Sequence, residues 1–168
     1  DAAELAAARD KLIALKPNIR LFDSDSPKTA LLGGEVDAGV VYNGEAALIA
    51  REDPTFAYVL PADGCGVWYD NLAIPKDAPH IDAALAFIDF VLLPQSGATI
   101  TRDFPYSNPN QAALDFLRTS DPSLYDAYLK SNATNPPADV VARCREVRDV
   151  GDALPLWGEM WTEVKGGE

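Results

Sequence analysis

Two residues of types that attract cations, Trp68 and Asp70, lie two positions apart in the stretch 64–75. Alternate side chains of an extended segment point to the same face, so both project together while Tyr69 faces away. An aromatic face attracts an ammonium group within about 6 Å, and a carboxylate accepts its hydrogen bonds. This pair predicts a surface for an organic cation. The alternative is that Trp68 belongs to the core and that Asp70 begins a turn.

Two further stretches add tyrosines and a second acid. Tyr42 ends an apolar run, and Glu45 opens a helix predicted over 45–51. Parallel α/β sheets bind ligands where strands end and helices begin, which is where both would lie. Tyr106 belongs to a proline-pinned loop over 104–110, a good place to present a side chain. Singly, each residue also has a structural explanation: strand-end packing for Tyr42, a favourable helix-end charge for Glu45 and an apolar plug for Tyr106.

These residues must be positioned by an alternation of short apolar runs and helices. The runs that predict strands are 19–22, 36–42 and 56–60. The stretches with helical spacing are 2–15, 27–32, 45–51, 81–92, 94–101, 111–117, 138–145 and 152–165. The polar stretch 119–137 is predicted to be a surface excursion. This alternation predicts an α/β layer with parallel strands.

Composition limits the classes of function. The 168 residues are 48% hydrophobic, enough for a substantial core, and 26 acidic against 14 basic residues give a formal charge of −12. This net negative charge repels phosphate groups, which argues against a nucleic-acid partner. No apolar run approaches the roughly 18 residues that span a bilayer. Residues 1–4 do not resemble a signal peptide, so any export signal has been removed or lies upstream.

Few of the groups used in catalysis or metal binding are present. The spacing of Cys65 and Cys144, the two cysteines, fits no metal cluster, and no cofactor is predicted. The two cysteines could form a disulfide, or they could be two free thiols. A disulfide would close a loop of about 80 residues and contribute about 4 kcal/mol to the free energy of unfolding. His80, the single histidine, has no candidate partner. Phosphate-loop, nucleophile-elbow and zincin motifs are absent. Glu45 and Asp70 leave an acid-pair hydrolase open, and a structural interaction domain is a third class.

The order of several motifs is more specific than any single residue. The chain resembles the C-terminal half of spermidine/putrescine-binding proteins, which are extracytoplasmic solute receptors of ABC importers. The stretches that carry the resemblance are 34–44, 67–75, 84–94, 105–110 and 161–165. The resemblance implies a class II periplasmic-binding-protein lobe of α/β type, a mostly parallel sheet flanked by helices. This lobe is incomplete relative to the full two-lobed fold.

The same resemblance implies how the chain is divided and what it contacts. Residues 1–70 would belong to the second lobe, 71–118 to a crossover segment of the first lobe, and 119–168 to the return into the second. The chain looks truncated, so the apolar faces of the crossover segment would lack a partner, and we expect a homodimer or a segment swap. The implied location is periplasmic, at the membrane permease of an ABC importer. The implied role is not enzymatic.

By motif match, the resemblance also assigns roles to the five candidate residues. Tyr42 falls where relatives place a tryptophan wall, and Glu45 where putrescine-type relatives carry an acid. Trp68 matches an aromatic wall, Asp70 a key carboxylate, and Tyr106 a tyrosine at the ligand. The implied function is capture of a polyamine such as putrescine or spermidine, and Tyr42 in place of tryptophan leaves the choice between them open. The alternative within binding proteins is a receptor for another small cation or a metal complex.

Overall fold

The computed structural model describes residues 1–166, which form two compact units. One unit combines Asp1–Ser26 with the residues from Val147 onward, and the other is Pro27–Glu146. The helices are α1 Ala2–Leu15, α2 Pro27–Leu32, α3 Asn43–Glu52, α4 Ile81–Leu92, α5 Pro94–Asp103, α6 Gln111–Ser120, α7 Pro122–Lys130, α8 Ala138–Val141 and α9 Leu154–Gly166. The strands are β1 Gly66–Val67 and β2 Arg145–Glu146, and short 3₁₀ helices cover Lys16–Asn18 and Gly151–Ala153.

The first unit pairs α1 with α9. The Asp1 carboxylate caps α1 by accepting from the Ala3 amide at 2.7 Å, which satisfies a donor that the helix leaves free. Arg9 Nη1 reaches the Glu163 carboxylate at 3.2 Å, and the rings of Phe22 and Trp161 meet edge to face at 5.3 Å. None of the five candidate residues lies in this unit.

A parallel strand pair and a disulfide tie the second unit together. Gly66 of β1 pairs with Arg145 of β2, and the Arg145 amide donates to the Cys65 carbonyl at 2.8 Å. Cys65 and Cys144, just before the two strands, form a disulfide, which decides between the two alternatives left open by the sequence. The helix-rich α/β class with a parallel sheet is therefore confirmed.

The three strands predicted from apolar runs are wrong. Residues 19–22, 36–42 and 56–60 adopt no strand, and Val40 in the middle run is fully exposed. A strand exists only where a neighbour completes its hydrogen bonds, and within residues 1–166 β1 and β2 are the strands that pair. An apolar run shows that its residues would pack well in a sheet. It does not show whether another strand lies beside it to complete the hydrogen bonds.

The stretch 119–137, predicted as a surface excursion, contains the helix α7, which the sequence analysis did not predict. The Asp121 side chain accepts from the Leu124 amide at 3.0 Å, and Pro122 occupies the first helical turn. Both are standard features of a helix start. Tyr128 on this helix is buried and its hydroxyl accepts from the Asn108 amide at 2.8 Å.

Helix α4 contrasts with its neighbours, because none of its residues is buried. Its apolar periodicity is as predicted, yet five of its large apolar side chains are between 46% and 61% exposed. Those side chains are Ile81, Leu85, Phe87, Phe90 and Leu92. Within residues 1–166 no single helix is long and apolar enough to cross a membrane; α4 and α5 reach that length and composition only as a pair bent by 69°.

Candidate functional site

The start of α3 positions two of the five candidate residues. Tyr42 precedes the helix in extended conformation, and its carbonyl accepts from the Ala46 amide at 3.0 Å. The Asn43 side chain donates to the Ala133 carbonyl at 2.8 Å, which fixes this helix start to the segment after α7. The side chains of Tyr42 and Glu45 therefore project from a helix start that is fixed to the segment after α7.

Trp68 follows directly after β1, whose entry is anchored by the disulfide at Cys65. The rings of Trp68 and Tyr42 meet edge to face, with centroids 5.4 Å apart and planes at 79°. Such a contact is a favourable arrangement of two aromatic rings. Trp68 is 46% exposed and Tyr42 is 42% exposed, so the core interpretation of Trp68 does not hold.

Tyr106 reaches the same region from the loop between α5 and α6. Pro105 beside it is fully buried, which holds the loop against the rest of the unit, and within the loop the Tyr106 amide donates to the Phe104 carbonyl at 2.8 Å. The Tyr106 ring lies against the first turn of α3, where a Cβ added to Gly44 would overlap ring atoms. Tyr106 remains 38% exposed.

Electrostatics link the remaining acids to this tyrosine. Partial burial raises the pKa of the Tyr106 phenol, and the nearby Glu45, Tyr42 and Asp70 raise that pKa further. The phenol therefore stays protonated at neutral pH and can donate a hydrogen bond. Glu52, which is paired with Lys28 at 2.8 Å, raises the pKa of the Lys28 ammonium group, and the more distant Glu45 raises it a little further.

All five candidate residues are thus brought together, by ring contact or by charge interaction, at one region of the second unit. The region offers three partly exposed rings and two carboxylates, the groups that stabilise an ammonium group and the methylene chain attached to it. Asp70 is exposed. In the described part of the chain no three His, Cys, Asp or Glu side chains are grouped as metal ligands.

Sequence reasoning missed two supporting residues of this site. The sequence predicts a helix that starts only at Glu45, whereas α3 begins at Asn43. The amide tether of Asn43 and the ring contact at Gly44 both depend on segments distant in sequence. No local pattern reports such contacts.

Comparison with known proteins assigns the chain to a family. Residues 1–132 match the family model for bacterial extracellular solute-binding proteins. This chain belongs to that family. The family is one of solute-binding receptors, in agreement with the resemblance found in the sequence.

Individual members of the solute-binding family are also similar to the chain. The spermidine/putrescine-binding periplasmic protein of Salmonella typhimurium is 33% identical over 170 residues, covering 99% of this chain and 46% of the relative. The putrescine-binding periplasmic protein SpuD of Pseudomonas aeruginosa is 28% identical over 176 residues, covering 98% of this chain and 45% of the relative.

A solved structure is similar as well. The structure of a spermidine/putrescine ABC transporter protein from Listeria monocytogenes has a TM-score of 0.85 and 31% identity, covering 100% of this chain and 51% of that one. The chain thus spans about half the length of the relatives it matches.

Proposed function

We propose that this chain takes part in capturing a polyamine, such as putrescine or spermidine, as part of an extracytoplasmic receptor of an ABC importer. The observation that carries the proposal is the meeting of Tyr42, Trp68 and Tyr106 with the carboxylates of Glu45 and Asp70. The relatives are named as a spermidine/putrescine-binding protein and a putrescine-binding protein, and these ligands have the chemistry that such a site fits.

Each group has a part in this proposal. Asp70 accepts hydrogen bonds from one ammonium end, and Glu45 adds negative charge nearby, so that the desolvation of the cation is offset. Tyr42 and Trp68 pack along the methylenes. Tyr106, whose phenol is protonated at neutral pH and whose pKa is raised further from that range, supplies a ring and a hydroxyl at the same place.

The proposal extends to the arrangement of the receptor. Residues 1–70 and 119–168 contribute to one lobe and 71–118 to the other, and a membrane permease takes up the polyamine at the outer side of the membrane. The relatives' description as periplasmic proteins supports this location.

We also propose that the exposed apolar face of α4 associates with a second copy of the chain, by direct contact or by exchange of the segment. Ile81, Leu85 and Leu92 form one exposed apolar stripe of α4, and Phe87 and Phe90 are exposed on the other side of the helix. Together the five side chains offer on the order of 500 Å² of apolar surface, compared with the roughly 800 Å² that each partner of a stable interface buries. Light scattering of the purified chain tests this: a dimer that Leu85→Glu converts to a monomer supports the proposal, and a monomeric wild type contradicts it.

Titration calorimetry tests the ligand. Putrescine and spermidine should bind, whereas the neutral diol 1,4-butanediol should not, because it matches putrescine in length and lacks both charges. Binding of the diol as tightly as of the diamine would contradict the proposal. Binding of metal ions alone would favour a receptor for another cation, and glycoside turnover would favour the acid-pair hydrolase.

A further inference from the structure

The backbone conformation of Gly44, in the first turn of α3, does not require a glycine. Among the described residues the glycines with positive φ are Gly34, Gly64 and Gly151, so Gly44 adopts a conformation open to any L-residue. Glycine is also less favourable than alanine within a helix. Another feature of the structure must therefore account for the missing side chain.

That feature is the Tyr106 ring, which occupies the space of the absent Cβ. The atoms nearest to a Cβ built at Gly44 are Cε2, Cδ2 and Cζ of Tyr106, all closer than real Cβ contacts allow. Gly44 is buried beneath this contact. The edge of the ring therefore rests on the helix backbone, an approach that only glycine permits.

The contact of the Tyr106 ring with Gly44 determines the position of the phenol. Gly44 directly precedes Glu45, and a ring resting on it is close enough to Glu45, Tyr42 and Asp70 to experience their charges. Any side chain at position 44 would push the ring away from the acids between which the ammonium group is expected to bind.

We propose that Gly44 is a positioning residue that sets the ligand affinity of this site by seating the Tyr106 ring against the first turn of α3. This inference rests on the proposed polyamine binding at the same site. Gly44 itself need not contact the ligand, because it acts through Tyr106.

A displaced ring has space to enter, so the fold should tolerate the change. Tyr106 also lines a mostly apolar hollow of about 170 Å³, together with Ile100, Phe104 and other residues of α4, α5 and the connecting loop. Gly44→Ala should therefore move the ring without unfolding the unit.

A double-mutant cycle tests the proposal in the full chain. Gly44→Ala, Tyr106→Ala and the double variant are titrated with putrescine. Gly44→Ala should raise Kd about tenfold in the wild-type background, and should change Kd by less than about twofold in the Tyr106→Ala background, where no ring remains to displace. An equal loss of affinity in both backgrounds would overturn the proposal.

Gly158→Ala is the matched control, because Gly158 also lies in a helix and a Cβ there would meet nothing within 4 Å. Its Kd should equal that of the wild type. Wild-type binding that is insensitive to Gly44→Ala would overturn this inference alone, whereas a wild type that does not bind putrescine would overturn the proposed function and the affinity role with it.

Thermal unfolding gives a readout that needs no ligand. Gly44→Ala should lower Tm or leave it unchanged when Tyr106 is present, and should raise Tm in the Tyr106→Ala background, where only the better helix propensity of alanine remains. If Gly44→Ala alone fails to fold, the double variant should still fold. A double variant that is no more stable than Tyr106→Ala would contradict the contact.

Discussion

The loop over 104–110 connects two regions with opposite surroundings. Tyr106 enters the candidate site, where it remains 38% exposed. Asn108 enters the junction of α5, α6 and α7, where its side-chain amide donates to Thr101 Oγ1 at 2.7 Å and to the Gly97 carbonyl at 3.2 Å. Thr101 is 1% exposed. Two residues of one loop therefore differ in their surroundings: Asn108 contacts a buried helix junction, whereas Tyr106 lies at a partly exposed site.

The two regions differ in whether their polar groups are satisfied by the protein. Among the described residues no buried side-chain nitrogen or oxygen lacks a partner, and the junction is an example of this. At the candidate site Asp70 and Glu45 form no hydrogen bond or ion pair with any residue in 1–166. We infer that the junction supplies stability, whereas the site keeps its acids available for a ligand.

Loss of the disulfide should have the largest effect and should weaken both regions. Replacing Cys65 and Cys144 together by serine opens a loop with a sequence separation of 79. Urea denaturation should show the free energy of unfolding falling by about 4 kcal/mol. Putrescine affinity should fall as well, because the bond anchors the entry to Trp68. Unchanged stability would contradict the anchoring role.

Asp70→Asn should affect the candidate site alone. Removing the charge partner of a desolvated ammonium group should weaken putrescine binding by about 3 kcal/mol, or more than about 100-fold in Kd, with an unchanged free energy of unfolding. Calorimetry and denaturation measure the two quantities. Asp126→Asn, at an exposed position of α7, is the control and should leave both unchanged. Equal effects of the two variants would remove the distinction between site and scaffold.

Gly97→Ala should affect the junction alone. A Cβ at Gly97 would lie 2.6 Å from Cβ of Ala113 on α6, and a methyl group forced between two packed helices should cost about 2 kcal/mol of unfolding free energy. Putrescine affinity of the folded protein should not change. This is the opposite of the expectation for Gly44→Ala, and a loss of affinity without a loss of stability would contradict it.

Tyr128→Phe should have the smallest effect. It removes the hydroxyl that accepts from the Asn108 amide at 2.8 Å, so the free energy of unfolding should fall by about 1 kcal/mol. Thermal or chemical denaturation measures this. A change in putrescine affinity larger than the change in stability would show that the loop couples the two regions more tightly than proposed.

Helices could be predicted from the sequence because their signals are local. Apolar spacing and breakers gave α1, α4 and the start of α6 in agreement with the structure. Helix α7 was not predicted because the stretch is mostly polar and was interpreted as a surface excursion, although Asp121 and Pro122 are typical residues of a helix start. Strands were overestimated, because an apolar run such as 36–42 does not specify a partner strand.

The candidate site could be predicted only in part. Residue type and motif order selected Tyr42, Glu45, Trp68, Asp70 and Tyr106, and the structure brings these side chains together. Their roles in ligand binding stay a prediction. The supports of the site, at Asn43 and Gly44, arise from contacts with chain segments far away in sequence, which no spacing rule records.

A crystal structure of the chain with putrescine shows whether the five residues form the polyamine site. We expect one ammonium nitrogen within hydrogen-bond distance of the Asp70 carboxylate, and the methylene chain beside the rings of Trp68 and Tyr106. Putrescine bound elsewhere on the chain, with Asp70 and both rings facing only solvent, would contradict it.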